Sequence, residues 1–427
     1  MEKELFEQLE QLPVPKQALH EARIKALQQK RLEEKKRHRK IKTVALIAIM
    51  LALFVTSVRM SPTVASAIAK IPGLAPLVDM IAYDKGVEDI LQNDYYEKLG
   101  VTVTENNITI IIDHVIADES GMIIAYTVEA PFDISNLETR QIEIFQHGEP
   151  VEASYTYSWF STEPTNRVED KIEVRAWKEM DYTHSDFEVR FHFSEEEVIV
   201  VPFTVTQEIV KTKDYVVNEE IEIDGQKLTV KSVHISPLRV EVRVAFAPNN
   251  PKRILTIGSL QLLDENGEEW SRITNGISGF GSEIEGEMSY FLQSNYFREP
   301  KALTLVISEV EALEKGQDYI EVDFEKGKVL YMPDLPNLKV TAVRADEVDI
   351  TYLPDTPNFH RQVLGEGIDA NGNKVEGNGG NFSGGDGYFE TNSKYDVQSI
   401  KNPVKLYINS FPNFLKGSAQ VNIQLDE

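Results

Sequence analysis

Histidine is the residue type in this chain with the broadest chemistry, because imidazole binds metals and exchanges protons near neutral pH. No HExxH pattern or other metal-binding spacing occurs. The absence of cysteine excludes disulfides, thiolate nucleophiles and cysteine-based zinc or iron–sulfur sites. GxSxG, SxxK and P-loop patterns are also missing. The sequence therefore predicts no catalytic residue, no metal site and no cofactor, and a protein that is not an enzyme. The eight histidines lie at positions 20, 38, 114, 147, 184, 192, 234 and 360.

One short acidic pattern resembles the start of a calcium-binding loop. Asp369, Asn371 and Asn373 have the required alternation. However, Lys374 occupies the position that needs glycine, and no glutamate follows at the twelfth position. We favour a hairpin turn here, with weak calcium binding as the alternative.

Aromatic residues form a second candidate site. Tyr155, Tyr157 and Trp159 alternate along a predicted strand, as in a platform on which sugars stack. The same alternation is typical of a sandwich core, which we favour. Trp177 and Trp270 are interpreted in the same way.

The elements that carry these residues are short β-rich runs, which begin at about residue 101. Three stretches, 108–129, 228–248 and 338–354, each indicate a strand, a brief turn and a second strand. Each is followed by a predicted hairpin turn and then by another β-run. The turns contain His147-Gly148, Asn266-Gly267 and Asn371-Gly372, and the later runs are 187–193, 302–308 and 404–410. This internal repeat predicts tandem β-sandwiches of immunoglobulin-like architecture. The third copy contains a glycine-rich stretch, 371–388, which predicts a long mobile loop.

The N-terminal part contains an uncharged apolar segment, 43–58, between Lys42 and Arg59. Sixteen residues make a helix roughly 24 Å long, and both flanking side chains can snorkel to complete a membrane span. Ten Lys and Arg lie within residues 23–42, so the positive-inside rule predicts a cytoplasmic N-terminus and an extracellular C-terminal part. A cleaved signal peptide, ending near Ala65-Ser66-Ala67, is the alternative.

The segment before the predicted span, 1–42, is basic, with twelve Lys and Arg against seven Glu. Its apolar residues have helical spacing and nothing else in so short a segment can bury them, so we expect them to contact a protein partner or the membrane face. The residues predicted to bind this partner are Leu5, Phe6, Leu9, Leu12, Leu19, Ile24 and Leu27. The basic run at 30–42 is explained by topology and by attraction to the anionic lipid bilayer. The formal net charge of -25 argues against direct nucleic-acid binding.

Residues 61–81 and 100–129 resemble the membrane-anchored domain-of-unknown-function family 4179 of Gram-positive bacteria, through SPTVASAIAKIPGLAPLVDMI and the β-run that follows. Residues 225–244 and 260–270 resemble the Ig-like domain-of-unknown-function family 5643. The resemblance implies an anti-sigma-factor-like regulator, whose cytoplasmic segment binds a sigma factor. The His/Cys zinc signature of many anti-sigma domains is absent from this sequence.

Together these observations predict a mainly β chain with a single N-terminal transmembrane helix, tandem Ig-like β-sandwich domains, and short helices at the N-terminus and in the stalk. The expected function is a single-pass cell-membrane regulatory protein whose extracellular β domains sense an unidentified ligand of the envelope. The alternative is a cell-surface binding or structural module for wall polymer or protein. The predicted boundaries are 1–42 (cytoplasmic segment), 43–60 (transmembrane helix), 61–100 (stalk), 101–212 (first β domain), 213–332 (second β domain) and 333–427 (third β domain).

Overall fold

The computed structural model describes residues 76, 79–80 and 83–425, except 136, 138, 159–162, 195–196, 272–277, 283–285, 354–360 and 386–387. In this part the chain is mainly β, as predicted, with antiparallel sheets and a helix, α1, at Lys85–Gln92. None of the helices described is long and apolar enough to span a membrane. The predicted span, 43–60, lies outside the described residues.

The first pair of sheets is built from nine strands. The bounds are β1 Glu97–Glu105, β2 Ile108–Asp118, β3 Gly121–Glu129, β4 Gln141–Gln146, β5 Glu149–Pro150, β6 Ala153–Tyr157, β7 Arg167–Ala176, β8 Asp186–His192 and β9 Val198–Thr204. Strands β1-β2-β3-β7-β6 form one sheet and β5-β4-β8-β9 the other. Alternating apolar residues of β2 and β8 point into one shared core, where the ring of Tyr126 meets that of Phe191 edge-on at 5.1 Å.

The second sheet pair also contains nine strands, of which the last comes from the end of the chain. The bounds are β10 Lys213–Ile223, β11 Gln226–Ile235, β12 Val240–Phe246, β13 Lys252–Asp264, β14 Glu269–Trp270, β15 Ser278–Ser282, β16 Glu287–Leu292, β17 Leu303–Glu314 and β27 Ala419–Ile423. One sheet has the order β10-β11-β12-β16-β15 and the other β14-β13-β17-β27. Trp270 lies 1% exposed in the core that these sheets share.

The third sheet pair lies between β17 and β27 in the chain. The bounds are β18 Tyr319–Asp323, β19 Lys328–Tyr331, β20 Leu338–Val343, β21 Glu347–Tyr352, β22 Leu364–Ile368, β23 Lys374–Val375, β24 Gly377–Gly385, β25 Tyr388–Tyr395 and β26 Val404–Ile408. Its sheets have the orders β19-β18-β26-β22-β23 and β20-β21-β25-β24. A third core lies between them.

The internal repeat is present in all three pairs. The first repeated stretch forms β2–β3, β11–β12 and β20–β21, each an antiparallel hairpin. The turn that follows joins β4–β5, β13–β14 and β22–β23. Gly148, Gly267 and Gly372 have φ values of 80°, 77° and 85°, which L side chains rarely adopt.

Two strands are exchanged between the second and third pairs. In the first pair, β9 lies beside β8 at the edge of its sheet. The corresponding place beside β17 is filled by β27, after the chain has passed through the third pair. Strand β18, which follows β17 directly, lies instead beside β26 in the third pair. The predicted boundaries between β domains stay predictions, and no pattern in the sequence indicates this exchange.

Within the glycine-rich stretch 371–388, residues 377–385 form strand β24 rather than part of the predicted loop. Strand β24 pairs with β25 over most of its length. A Cβ atom on Gly380 would lie 2.3 Å from the carbonyl oxygen of Asn392, so the missing side chain permits the close approach of these strands. The prediction of a mobile loop was wrong because it took glycine only as a source of flexibility.

Candidate functional site

Helix α1 lies where the first and second sheet pairs meet. It begins at Asp84, whose carboxylate accepts hydrogen bonds from the amides of Gly86 (2.8 Å) and Val87 (3.4 Å). Its apolar face, with Val87 and Ile90, packs into a small core that includes residues of both sheet pairs. The other buried members are Met80, Tyr95, Ile116, Ile123 and Leu238. The helix therefore holds the two sheet pairs in one arrangement.

Polar contacts fix α1 to the second sheet pair. Arg298 donates from Nε and Nη2 to the two carboxylate oxygens of Asp89, at 2.8 and 2.6 Å. The Gln293 side chain donates to the carbonyl of Tyr83 at 3.1 Å and accepts from the amide of Lys85 at 3.3 Å. These contacts hold the N-terminal turn of α1 directly against the chain that follows β16.

Asp84, at the N-terminal end of α1, carries a buried carboxyl group. Only 5% of the residue is exposed, and burial raises its pKa to about 6 although two amide donors oppose that shift. The carboxyl group of Asp84 therefore changes its charge near pH 6.

The sheet pairs also touch directly through two turns. The carboxylate of Asp118, at the end of β2, accepts from the amide of Leu238 at 2.7 Å. Ser236 donates to Ser120 at 3.2 Å across the same contact. The side chain of Arg239 donates to the carbonyl of Val174 in β7 at 3.3 Å. We call the contact formed by α1, the β2–β3 turn and the β11–β12 turn the junction.

A cleft of about 720 Å³ opens beside the junction, and we call it the junction cleft. Its walls come from β7 and the turn after it, and from β11, β12, β15 and β16. Its lining includes the aromatic residues Trp177 and Phe291 and charged residues of both signs. The cations are Arg175, Lys178, Lys211, Arg239 and Arg243, and the carboxylates are Glu119, Glu179, Asp214, Glu241 and Glu287. Among the described residues, no group of three His, Asp or Glu is placed to hold a metal ion. The cleft therefore places cations and an exposed aromatic surface beside carboxylates, an arrangement that can bind a polar ligand.

The residues predicted to bind a partner or flank the membrane all lie outside the described residues. They are Leu5, Phe6, Leu9, Leu12, Leu19, Ile24, Leu27, Lys42 and Arg59. Their roles stay predictions.

Other predictions on the β part can be compared with the structure. Tyr155 and Tyr157 pack against the first core, as predicted, and Trp270 is buried in the second. Trp159, the third residue of the predicted aromatic row, lies outside the described residues. Trp177 was expected in a core and is 60% exposed, because it follows β7 and lies at the rim of the junction cleft. Asp369 accepts from the amides of Asn371 (2.9 Å) and Asn373 (2.8 Å), which confirms the hairpin turn.

Sequence reasoning missed Arg175 and Arg239, which meet at the floor of the junction cleft. No local pattern marks them, because one belongs to the first sheet pair and the other to the second. Only the packing of these pairs brings their charges together.

The chain matches two families of unknown function. Residues 35–130 match a domain of unknown function, DUF4179, and residues 212–342 match a family of unknown function, DUF5643. Both predicted resemblances are confirmed. Of the residues that line the junction cleft, Ser120 lies in the first matched range and Arg239 in the second. Arg175 and Trp177 lie in the chain between the two matched ranges.

No curated protein matches the chain. Among solved structures, the conserved domain protein from Bacillus anthracis is 15% identical, with a TM-score of 0.37, over 55% of this chain and 84% of that one. An uncharacterized protein and the cycloalternan-forming enzyme of Listeria monocytogenes are each 10% identical, with TM-scores of 0.15, over 68% of this chain. The match spans 29% of each Listeria protein. Scores this low carry no inference about function.

Proposed function

We propose that this chain is a single-pass membrane regulatory protein of the anti-sigma-factor-like type. Residues 43–60 form the transmembrane helix, with residues 1–42 in the cytoplasm and the β part outside the cell. The cytoplasmic segment binds a sigma factor through the apolar residues from Leu5 to Leu27. The β part senses the envelope, and its three sheet pairs are immunoglobulin-like sandwiches.

The position of α1 is the observation that carries this proposal. The chain that leaves the predicted membrane segment reaches the β part at this helix. Its apolar face is buried against both the first and second sheet pairs, and its Asp89 is held by Arg298. A ligand that changes how the pairs meet would therefore act on the segment nearest to the membrane.

The cytoplasmic role is tested by cross-linking the full-length chain in living cells and identifying the captured proteins. We expect a sigma factor with the wild-type chain and its loss with Leu9→Asp, which places a charge on the predicted binding face. Glu10→Gln, a neighbouring change that alters no apolar residue, is the matched control and should keep the partner. Equal capture by wild type and Leu9→Asp, or no sigma factor at all, contradicts the proposal.

A second candidate function is a cell-surface binding module, and the junction cleft is the observation that favours it. In that case residues 1–42 serve only to set topology, and deleting residues 2–29 leaves function intact. Deleting the third sheet pair is a poor test, because it also removes β27 from the sheet of the second pair. Deletion of residues 2–29 separates the two functions without this loss, because it leaves all three sheet pairs intact.

A further inference from the structure

Two arginines line the junction cleft without a close ion pair to any carboxylate of the described residues. Arg239 is 7% exposed, and Arg175 is partly buried beside it. Nε of Arg175 and Nη1 of Arg239 are buried with no hydrogen-bond acceptor among the described residues. Neither side chain forms an ion pair with any carboxylate in that part of the chain. Burying a charge without an ion-pair partner costs free energy, so these two guanidinium groups contribute little to the stability of the fold.

The two charges also repel each other. Burial, and then the positive charge of Arg239, lower the pKa of Arg175 to about 10. Burial likewise lowers the pKa of Arg239, although the charges of Asp118, Glu173 and Glu241 oppose that shift. Both groups nevertheless keep their charge at neutral pH. This arrangement stands in a part of the chain, 59–427, that holds 62 acidic and 32 basic residues, so carboxylates were abundant.

Four carboxylates near the arginine pair have other hydrogen-bond partners. Glu241 accepts from Arg243 at 2.9 Å and from Ser289 at 2.6 Å. Asp214 contacts His234 at 2.5 Å, and Glu173 accepts from Lys171 at 2.5 Å. Asp118 is held by the turn amides. These hydrogen bonds hold the four carboxylates away from a close ion pair with Arg175 or Arg239.

Aromatic rings stand next to these cations. The guanidinium of Arg175 lies over the ring of Phe291, with its carbon 4.4 Å from the ring centre, which fixes the direction of the side chain. Trp177 presents an exposed indole at the same cleft. An indole beside fixed cations is suited to a sugar ring that carries an anionic group.

We propose that the junction cleft binds an anionic saccharide, whose carboxylate or phosphate is held by Arg175 and Arg239 while its ring lies against Trp177. This inference deepens the proposed function, on which it rests, by naming the class of ligand that the β part senses. Because the arginines belong to different sheet pairs, the bound anion joins the pairs across the junction.

The test is calorimetric titration of the full-length chain in a neutral polyoxyethylene detergent, whose head group is not a sugar. The probes are glucuronate, glucose 6-phosphate and uncharged glucose. We expect binding of one or both anions and none of glucose. The affinity should fall about tenfold or more in both Arg175→Gln and Arg175→Ala, and it should weaken as salt is raised. Trp177→Ala should weaken the binding of the sugar anions while leaving the protein folded.

Arg190→Ala is the matched control, because Arg190 also lies over an aromatic ring, that of Phe145, but remote from the junction cleft. It should bind like wild type. Absence of binding by either anion, equal affinity for glucose, or an unchanged affinity in a folded Arg175→Gln variant overturns the proposal. The cross-linking result for Leu9→Asp is independent of these titrations, so failure of the sigma-factor role and failure of the ligand site are distinguishable.

Discussion

Asp89 in α1 and Arg298 beyond β16 form a two-point ion pair that joins the helix to the second sheet pair. The carboxylate is almost completely buried, with a 3% exposed side chain, whereas the guanidinium is 48% exposed. The paired contacts, 2.8 and 2.6 Å long, fix the orientation of both groups. Removing the arginine would leave a buried charge without its partner.

Arg298→Ala is therefore expected to destabilise the folded β part by about 2 kcal/mol or more. Arg298→Lys should cost less, since it keeps the charge but loses the two-point geometry. Thermal unfolding of the full-length chain, combined with Asp89→Asn in a double-mutant cycle, measures the coupling. A cycle with no interaction energy would contradict the assigned role of this pair.

Asp84 should make stability depend on pH. Its pKa is raised from 3.8 to about 6, so the folded chain holds the proton more tightly than the unfolded chain. The resulting stabilisation is complete below pH 3.8 and is lost as pH rises through 6. The Asp84→Asn variant keeps an oxygen for the cap but has no group that titrates at this position. The stability of the variant relative to wild type should rise by up to about 3 kcal/mol between pH 4 and pH 7. If the stability of the variant relative to wild type did not change between pH 4 and pH 7, the raised pKa of Asp84 would be contradicted.

Gly121 is expected to tolerate no side chain. Its φ is +151°, and a Cβ atom there would lie 2.0 Å from the carbonyl oxygen of Val174 and 3.3 Å from Arg239. Gly121→Ala should therefore cost more than about 2 kcal/mol. Gly148→Ala is the control: φ is +80° but nothing lies within 4 Å, so the cost should be only about 1 kcal/mol. Similar losses in thermal unfolding for both variants would show that the contact with β7 is unimportant.

The exchange of strands makes a prediction about β27. Val421 is fully buried in the core of the second pair although it lies far along the chain from β17. Val421→Asp should raise the rate of amide hydrogen exchange in β17, because the sheet edge beside it would detach. Gln420→Asp, on the exposed face of the same strand, should leave that exchange unchanged. Unaltered protection of β17 in Val421→Asp would exclude the pairing.

The repeat could be predicted from sequence because its signals are local. Alternating apolar residues mark β2, β11 and β20, and Asn-Gly or His-Gly marks the turns. What could not be predicted depends on contacts between distant segments. Strand β27 is an example, because nothing in its local sequence says which sheet it joins. Trp177 was placed in a core by residue type alone, and the arginine pair of the junction cleft is invisible until two sheet pairs pack together.

Membrane anchorage with the N-terminus inside the cell is the central claim, and it is tested most directly by cysteine labelling. The natural chain has no cysteine, so single Gln28→Cys and Ser418→Cys variants each report one position. Ser418 is exposed in the folded β part. With a membrane-impermeant maleimide on intact cells, we predict labelling of the Ser418→Cys variant and labelling of the Gln28→Cys variant only after lysis. Labelling of the Gln28→Cys variant in intact cells, or protection of the Ser418→Cys variant, would contradict the account.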